Sequence, residues 1–241
     1  MKNLSKTFFI PLYFKYKESI NDKRIYDEEA VNFFKNNPDI IKNELKDIEV
    51  DKESFERIIK RSLIIDKFLI EILNKENIDF IFNIGCGLDF RNRRLEIKDK
   101  VWYNLDLSEV IDYRNEMISS YPNEYNISGN ILEADFWEKF PKGRAIFIFE
   151  GILMFFEKEE VYNTLENISK KFQDSFYIIH TFPEKELIIK SINALIKENL
   201  IKWRNSNSEI LEKDLKLKYL KGENLSTEKM EKDFRINLYK N

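Results

Sequence analysis

The chain holds 241 residues but only one cysteine, one histidine, six glycines and five prolines. A single cysteine, Cys86, excludes an intramolecular disulfide and any metal cluster built on cysteines, so no metal is expected. It also points to a cytoplasmic location, where thiols stay reduced. Charge of one sign is lacking too. With 40 basic and 43 acidic side chains the formal net charge is −3, which argues against a nucleic-acid binder, since such proteins carry a basic excess. No apolar run reaches membrane-spanning length; LIIDKFLIEIL at 63–73 is broken by charges. The apolar piece TFFIPLYF near the start contains Pro11 and no small-residue cleavage site, so it reads as structure and not as a signal peptide. Internal repeats and Gly/Ser linkers are missing as well. What remains is a chain sized for one large domain, with 14% aromatic residues to fill its core.

The most informative stretch that is present is FIFNIGCGLDFRNRRL, residues 80–95. Phe80, Ile81, Phe82 and Ile84 form an apolar run suited to a strand covered on both faces. Gly85 and Gly87 then remove side chains where the backbone must turn and approach a ligand. Asp106 ends a second apolar run, VWYNLDL, at the distance past the turn where α/β nucleotide folds grip ribose hydroxyls. A dinucleotide fingerprint needs a third glycine, and Phe90 stands there. Arg91, Arg93 and Arg94 supply charge that attracts phosphate, but without that glycine a nucleoside lacking phosphates fits better. S-adenosylmethionine (SAM), an adenosine with a sulfonium and an amino-acid tail, is the common one.

Around this stretch the pattern alternates. Helices are expected at 24–36, stopped by Asn37-Pro38, and at 52–75, with Phe55, Ile58, Ile59, Leu63, Ile65, Leu69 and Ile72 as the apolar face. Strands are expected at 79–84, 101–105, 126–131, 144–149 and 175–181, and helices at 88–95, 108–120, 158–172 and 184–203. A further helix, a strand near 215–220 and a last strand FRINLYK follow. Such alternation implies an α/β fold with a mostly parallel sheet and helices on both faces. Ligands of such sheets sit beyond the carboxyl ends of the strands, where Gly85, Asp106, Asp135 and Glu150 all fall.

Several segments together resemble the leucine carboxyl methyltransferase / tetracenomycin-type polyketide O-methyltransferase family. TFFIPLYFKYKES (7–19) and KRIYDEEAV (23–31) are similar to its N-terminal segments. FERIIKRSLIIDKFL (55–69) is similar to a segment in which an Arg and a later Asp are separated by apolar residues. NIGCGLDFRNRRL (83–95) resembles its glycine motif and WYNLDLSEVIDYRNEMI (102–118) its ribose motif, with Ser108 in place of a proline. FEGILMFF (149–156) resembles the segment after strand four and is the most family-specific of these. The likeness runs nearly end to end. It implies a class I methyltransferase, Rossmann-like, with seven strands of which the last is antiparallel, and SAM as methyl donor. It divides the single domain into an N-terminal helical cap (1–75), a SAM-binding core (76–183), lid helices (184–214) and closing strands (215–241).

Carried over by position, Arg61 meets the donor's carboxylate, and Gly85, Cys86 and Gly87 lie under its amino-acid part. Asp106 holds the ribose, Leu107 lies against adenine, Asp135 and Phe136 flank the adenine edge, and Glu150 faces the amino group. The family's N-terminal Arg-Ala pair is Lys15-Tyr16 here, Phe156 replaces a frequent tyrosine, and His180 stands where strand five often ends in an acid. Tyr13, Lys15 and Phe156 are therefore the substrate-side candidates.

Each residue also has a plainer reading. Asp106 suits a helix N-cap, Asp135 a surface turn, and Arg61 beside Lys60 a solvated helix face. Cys86 has no neighbouring base in sequence and reads as inert. His180, the sole histidine, is the one side chain that titrates near neutrality unaided, yet histidines at strand ends are commonly structural. The aromatics Phe8, Phe9, Tyr13, Phe14 and Tyr16 suit core packing, and the charged tail 209–233 a solvated face.

Methyl transfer from a sulfonium is an in-line displacement in which the protein mainly positions the reactants. The expectation is O-methylation of a hydroxyl or carboxyl on a small molecule beneath a lid of residues 1–36 and 184–214, by a monomer or homodimer. Methylation of a protein's terminal carboxylate, or a SAM sensor without transfer, is the alternative. A nucleotide-dependent oxidoreductase is disfavoured by the missing third glycine.

Overall fold

A computed structural model of the chain describes residues 8–46, 52–119, 121–182, 201–205, 209–225 and 235–241. Four helices come first: α1 (Phe9–Ile20), α2 (Glu28–Asn36), α3 (Pro38–Asn43) and α4 (Lys52–Lys75). Strands β1 (Phe80–Ile84), β2 (Val101–Asp106), β3 (Glu124–Ser128), β4 (Ala145–Phe149) and β5 (Phe176–Thr181) then run parallel. They are joined through α5 (Arg91–Arg94), α6 (Ser108–Met117), α7 (Ala134–Glu138) and α8 (Lys158–Lys171). Helix α9 (Glu209–Leu215) leads into β6 (Lys218–Asn224), and β7 (Arg235–Lys240) inserts antiparallel between β5 and β6. The sheet order is β3-β2-β1-β4-β5-β7-β6. This is the expected seven-stranded, mostly parallel α/β sheet, and its order reverses between β1 and β4, where such sheets open a ligand crevice.

Alternation along the strands divides the core in two. Ile81, Ile146, Ile148, Ile178 and Leu238 face α4, which meets them with Ile65, Phe68, Leu69 and Ile72. The neighbouring positions face Trp137, Phe140, Val161, Leu165 and Phe172 on the other side. On that second face every strand contributes one aromatic to a single row: Tyr125, Tyr103, Phe82, Phe147, Tyr177, Tyr239 and Tyr219 are paired in register in that order. Phe82 and Phe147 stack at 4.9 Å and Phe147 and Tyr177 at 5.2 Å. Cross-strand aromatic pairs of this kind add to what area burial alone gives and pin the register.

Some boundaries differ from the expectation. The first expected helix starts at Glu28, because Asp27 caps it by accepting the Ala30 N–H at 3.0 Å. Asn37-Pro38 does end it, but Pro38 then opens α3 at its first position, where the missing N–H is harmless. On α4, Leu63 is 37% exposed, while Ile64 and Phe68 are buried. The helix after the glycine turn shortens to 91–94 and the helix expected at 108–120 ends at Met117. The third strand lies at 124–128 and not 126–131, since Asn130 turns the chain by accepting the Leu132 N–H. Residues 134–138, read as a turn, are the helix α7, and the strand expected near 215–220 spans 218–224. Most of the helix expected at 184–203 lies outside the described residues. Its end, 201–203, is irregular and is anchored by the Lys202 N–H on the Met154 carbonyl at 2.8 Å.

Truncating Phe147 to alanine removes the middle of the aromatic row and is expected to lower unfolding free energy by about 3–5 kcal/mol. Leu63→Ala, on the outer face of α4, should stay within about 0.5 kcal/mol. Urea titrations of the two variants check this.

Candidate active site

The glycine turn continues directly from β1. Gly85 and Gly87 both have positive φ, +65° and +49°, which side chains other than glycine rarely adopt. A Cβ on Gly85 would stand 2.9 Å from the Ile152 side chain, so the turn and the segment after β4 close on each other. The Gly85 and Cys86 N–H groups donate to the Leu105 carbonyl at 2.8 and 3.2 Å, stitching the turn to the end of β2. Asp106 lies just there. Its Oδ2 accepts the Gly87 N–H and its Oδ1 the Leu107 N–H, both at 2.8 Å. Burial raises its pKa from the ordinary aspartate value, against those two backbone bonds and Arg114. Next to it Leu107 is 60% exposed, an apolar side chain left uncovered at the mouth of the crevice.

From the far side the turn is held by Arg114 of α6, whose side chain is fully buried. It donates to the Gly87 carbonyl (3.1 Å), to Asn126 (3.0 Å) and to Glu124 (2.7 Å). Glu124 also accepts from Asn92, Arg93 and Asn104. Burial pushes Glu124 up, but Arg114 and its hydrogen bonds outweigh that and lower its pKa. Nothing in the sequence marked Arg114 or Glu124. A basic residue inside a helix and an acid at a strand start read as surface until the topology brings them together.

The second half of the site is a buried charge network. Arg91, with no solvent exposure, donates Nε to Asp66 (2.7 Å), Nη1 to Asp89 (2.7 Å) and Nη2 to Glu150 (2.5 Å). Arg94 reaches the other Asp66 oxygen at 2.5 Å, and Arg93 pairs with Glu124 at 3.0 Å. All three arginines are thus engaged by internal carboxylates, so the charge that could have attracted phosphate is already paired. Lys15 of α1 pairs closely with Asp89. It is 2% exposed, and through this pair it ties α1 to the glycine turn. Burial raises Asp89, but Arg91 and Lys15 prevail and hold it at about 2; Glu150 is likewise held well below the usual range, chiefly by Arg91 and Arg61 against burial.

Arg61 of α4 donates Nε to Glu150 Oε1 at 2.8 Å. Its Nη1 lies 3.3 Å from where a Cβ of Gly151 would stand, and His180 Nδ1 lies 4.0 Å from the same point. Burial and the Arg61 charge push the His180 pKa well below its ordinary value, with Glu150 opposing. A base whose cation is so disfavoured is a poor proton acceptor. Cys86 is buried, and burial pushes its thiol upward, away from reactivity.

The other candidates are placed as follows. Asp135 is exposed in the first turn of α7, while Phe136 is 2% exposed, its ring pressed on Gly129, where a Cβ would stand 2.2 Å away. Tyr13 packs its ring on Tyr16 and Phe34. Phe156, half-buried, ends the turn after β4. Among the described residues no group of three or more His, Cys, Asp or Glu is arranged to hold a metal, and no helix is long and apolar enough to cross a membrane.

Comparison with known proteins fits this geometry. Residues 16–169 match the sequence model of the family described as leucine carboxyl methyltransferase. That match is shorter than the end-to-end likeness read from the motifs, and Tyr13, Lys15 and His180 lie outside it. A S-adenosyl-L-methionine-dependent methyltransferase, dpfgK, of Gibberella zeae is 27% identical over 104 residues, 39% of this chain and 35% of that protein. The chain thus spans about a third of that relative's length. Magnesium protoporphyrin IX methyltransferase of Synechocystis PCC 6803 with bound SAH superposes with a TM-score of 0.55 at 14% identity, over 89% of this chain and 99% of that one. N-methyltransferase NodS of Bradyrhizobium japonicum WM9 does so with 0.50 at 12%, over 76% and 97%. At such identities these two establish the fold, that of class I methyltransferases.

The charge pattern predicts two steps of acid destabilisation. Below about pH 6.5 the unfolded chain takes up a proton on His180 that the folded imidazole refuses, so stability declines. The contribution of Asp89 is complete above about pH 4, the unfolded carboxylate value, and is lost as the pH falls towards about 2. Urea midpoints measured from pH 7 to pH 3 should fall in both ranges, and His180→Gln should remove only the first decline.

Proposed function

The chain belongs to the leucine carboxyl methyltransferase family and so to the SAM-dependent methyltransferases, and from that premise we propose that it transfers a methyl group from SAM to an oxygen of a small-molecule acceptor. The observation that carries this reading is the crevice between β1 and β4. A carboxylate at the end of β2, the left-handed Gly85–Gly87 turn and the exposed Leu107 lie together on one side of it, and the Arg61–Glu150 pair on the other. In this reading Asp106 accepts the ribose hydroxyls, as its two oxygens keep acceptor capacity beyond one backbone bond each. Leu107 covers the adenine face, with Asp135 at the adenine edge. Gly85, Cys86 and Gly87 admit the amino-acid end, Glu150 faces its ammonium and Arg61 its carboxylate. Phe136 acts from beneath, by packing.

The acceptor follows from the proton question. A carboxylate is already a nucleophile near neutrality, with a reference pKa of about 4, whereas a phenol near 10 needs a base. His180 is badly suited to that task, so a carboxylate acceptor is the reading the site supports. The family's description favours a second reading, in which the carboxylate is the end of a protein chain. The sensor reading loses its motive at position 15, since Lys15 keeps a cation on Asp89.

Calorimetry should show SAM binding to the wild type, weakened at least about 100-fold in Asp106→Ala, which removes charge-assisted bonds to two hydroxyls. No binding to the wild type would refute the donor assignment. With labelled SAM, a panel of small carboxylic acids should accept label at a rate nearly flat from pH 6 to 8. A rate that climbs across that range would point to a hydroxyl acceptor, and label found only on a peptide end would select the protein substrate.

A further inference from the structure

His180 occupies the carboxyl end of β5, pairs with Ile236 of β7, and lies on the sheet face covered by α4. It is 3% exposed, and among the described residues neither ring nitrogen has a hydrogen-bond partner. A neutral imidazole carries one donor and one acceptor, and leaving both unmatched in the interior is unfavourable. Such an orphan in a native structure calls for an explanation. Nor is the ring loosely placed. It packs at 4.8 Å on Phe182, and its Nδ1 points to the small space above Gly151.

That space has a second wall. Arg61 directs Nη1 into it, while its Nε is engaged by Glu150. Gly151, at φ +72° and without a side chain, separates the two groups: a Cβ there would stand 3.3 Å from Arg61 Nη1 and 4.0 Å from His180 Nδ1. Glu150 does not fill the gap for His180: its two oxygens bond Arg61 Nε and Arg91 Nη2, and neither is hydrogen-bonded to the imidazole. The groups facing the imidazole are then Arg61 and Arg57 of α4 and Glu150, which follows β4. What the gap lacks is an acceptor that can take one bond from a guanidinium and one from an imidazole N–H. A carboxylate has that shape and charge.

Building on the SAM reading above, we infer that His180 is a ligand for the carboxylate of the donor's amino-acid end, donating a ring N–H to one oxygen while Arg61 Nη1 takes the other. This gives the histidine a binding task where the sequence suggested a base. No bond is made or broken in this step, and the imidazole stays neutral.

The test compares SAM with decarboxylated SAM, which keeps the adenosine, sulfonium and amine but lacks the carboxylate. In His180→Leu, SAM should bind about 10- to 100-fold more weakly, the range for a hydrogen bond to a charged group. Decarboxylated SAM should bind as it does to the wild type, and His180→Gln, which restores a neutral N–H donor, should recover most of the loss for SAM. Equal weakening of both ligands, or of neither, would overturn the inference. The wild type offers a check free of any folding defect, since His180 supplies the chain's only imidazole. Its ¹⁵N resonances should shift with SAM and stay near their free positions with decarboxylated SAM; equal responses would overturn it. A wild type that binds decarboxylated SAM but not SAM contradicts this inference alone, whereas one that binds neither removes the donor reading beneath it.

Discussion

One guanidinium holds the site together. Arg91 has no contact with water and bonds three carboxylates from three parts of the chain: Asp66 in α4, Asp89 in the glycine turn and Glu150 at the end of β4. Withdrawing charges from water is unfavourable by several kcal/mol per ion, and only near-complete pairing offsets it. Each partner is therefore locked to the others. Asp89 brings Lys15 and α1 onto the turn, and Glu150 brings Arg61. The N-terminal helices and the strand ends are thereby tied into one network of ion pairs.

The other end of the crevice depends on a second network with the same logic. Arg114 fixes the Gly87 carbonyl from below, while Asp106 fixes the Gly87 N–H from above. The glycine turn is thus gripped on both sides before any ligand arrives, as a preorganised site requires. Beneath both networks the sheet supplies rigidity, through a branched aliphatic face against α4 and an aromatic row on the opposite face.

The parts legible in the sequence were those set by local pattern. The apolar run into Gly-x-Gly, the acid at the end of the next strand and the strand–helix alternation are short-range signals, and β1, β2, β4 and the overall α/β architecture stand where they pointed. The illegible parts depend on distance in the chain. Asp66 and Arg91 lie 25 residues apart, and Arg91 and Glu150 59 apart, so neither pairing has a local signature. Read alone, Arg91, Arg93 and Arg94 look like a phosphate-binding patch; only the fold shows their carboxylate partners. Helix α7 is too brief for periodicity to register, and Phe136 follows from the absent side chain of Gly129.

Function rests on the division of labour this frame creates. In the proposed reading the donor-side residues converge from α4, β1, β2 and β4, and a histidine whose cation is disfavoured by burial leaves nucleophilicity to the acceptor itself. The most direct measurement is a crystal structure of the protein with S-adenosylhomocysteine. The ribose hydroxyls should lie on Asp106, the adenine against Leu107 and the amino-acid end between Glu150 and Arg61. A ligand bound elsewhere, or one whose ribose leaves Asp106 untouched, would contradict the proposed reading.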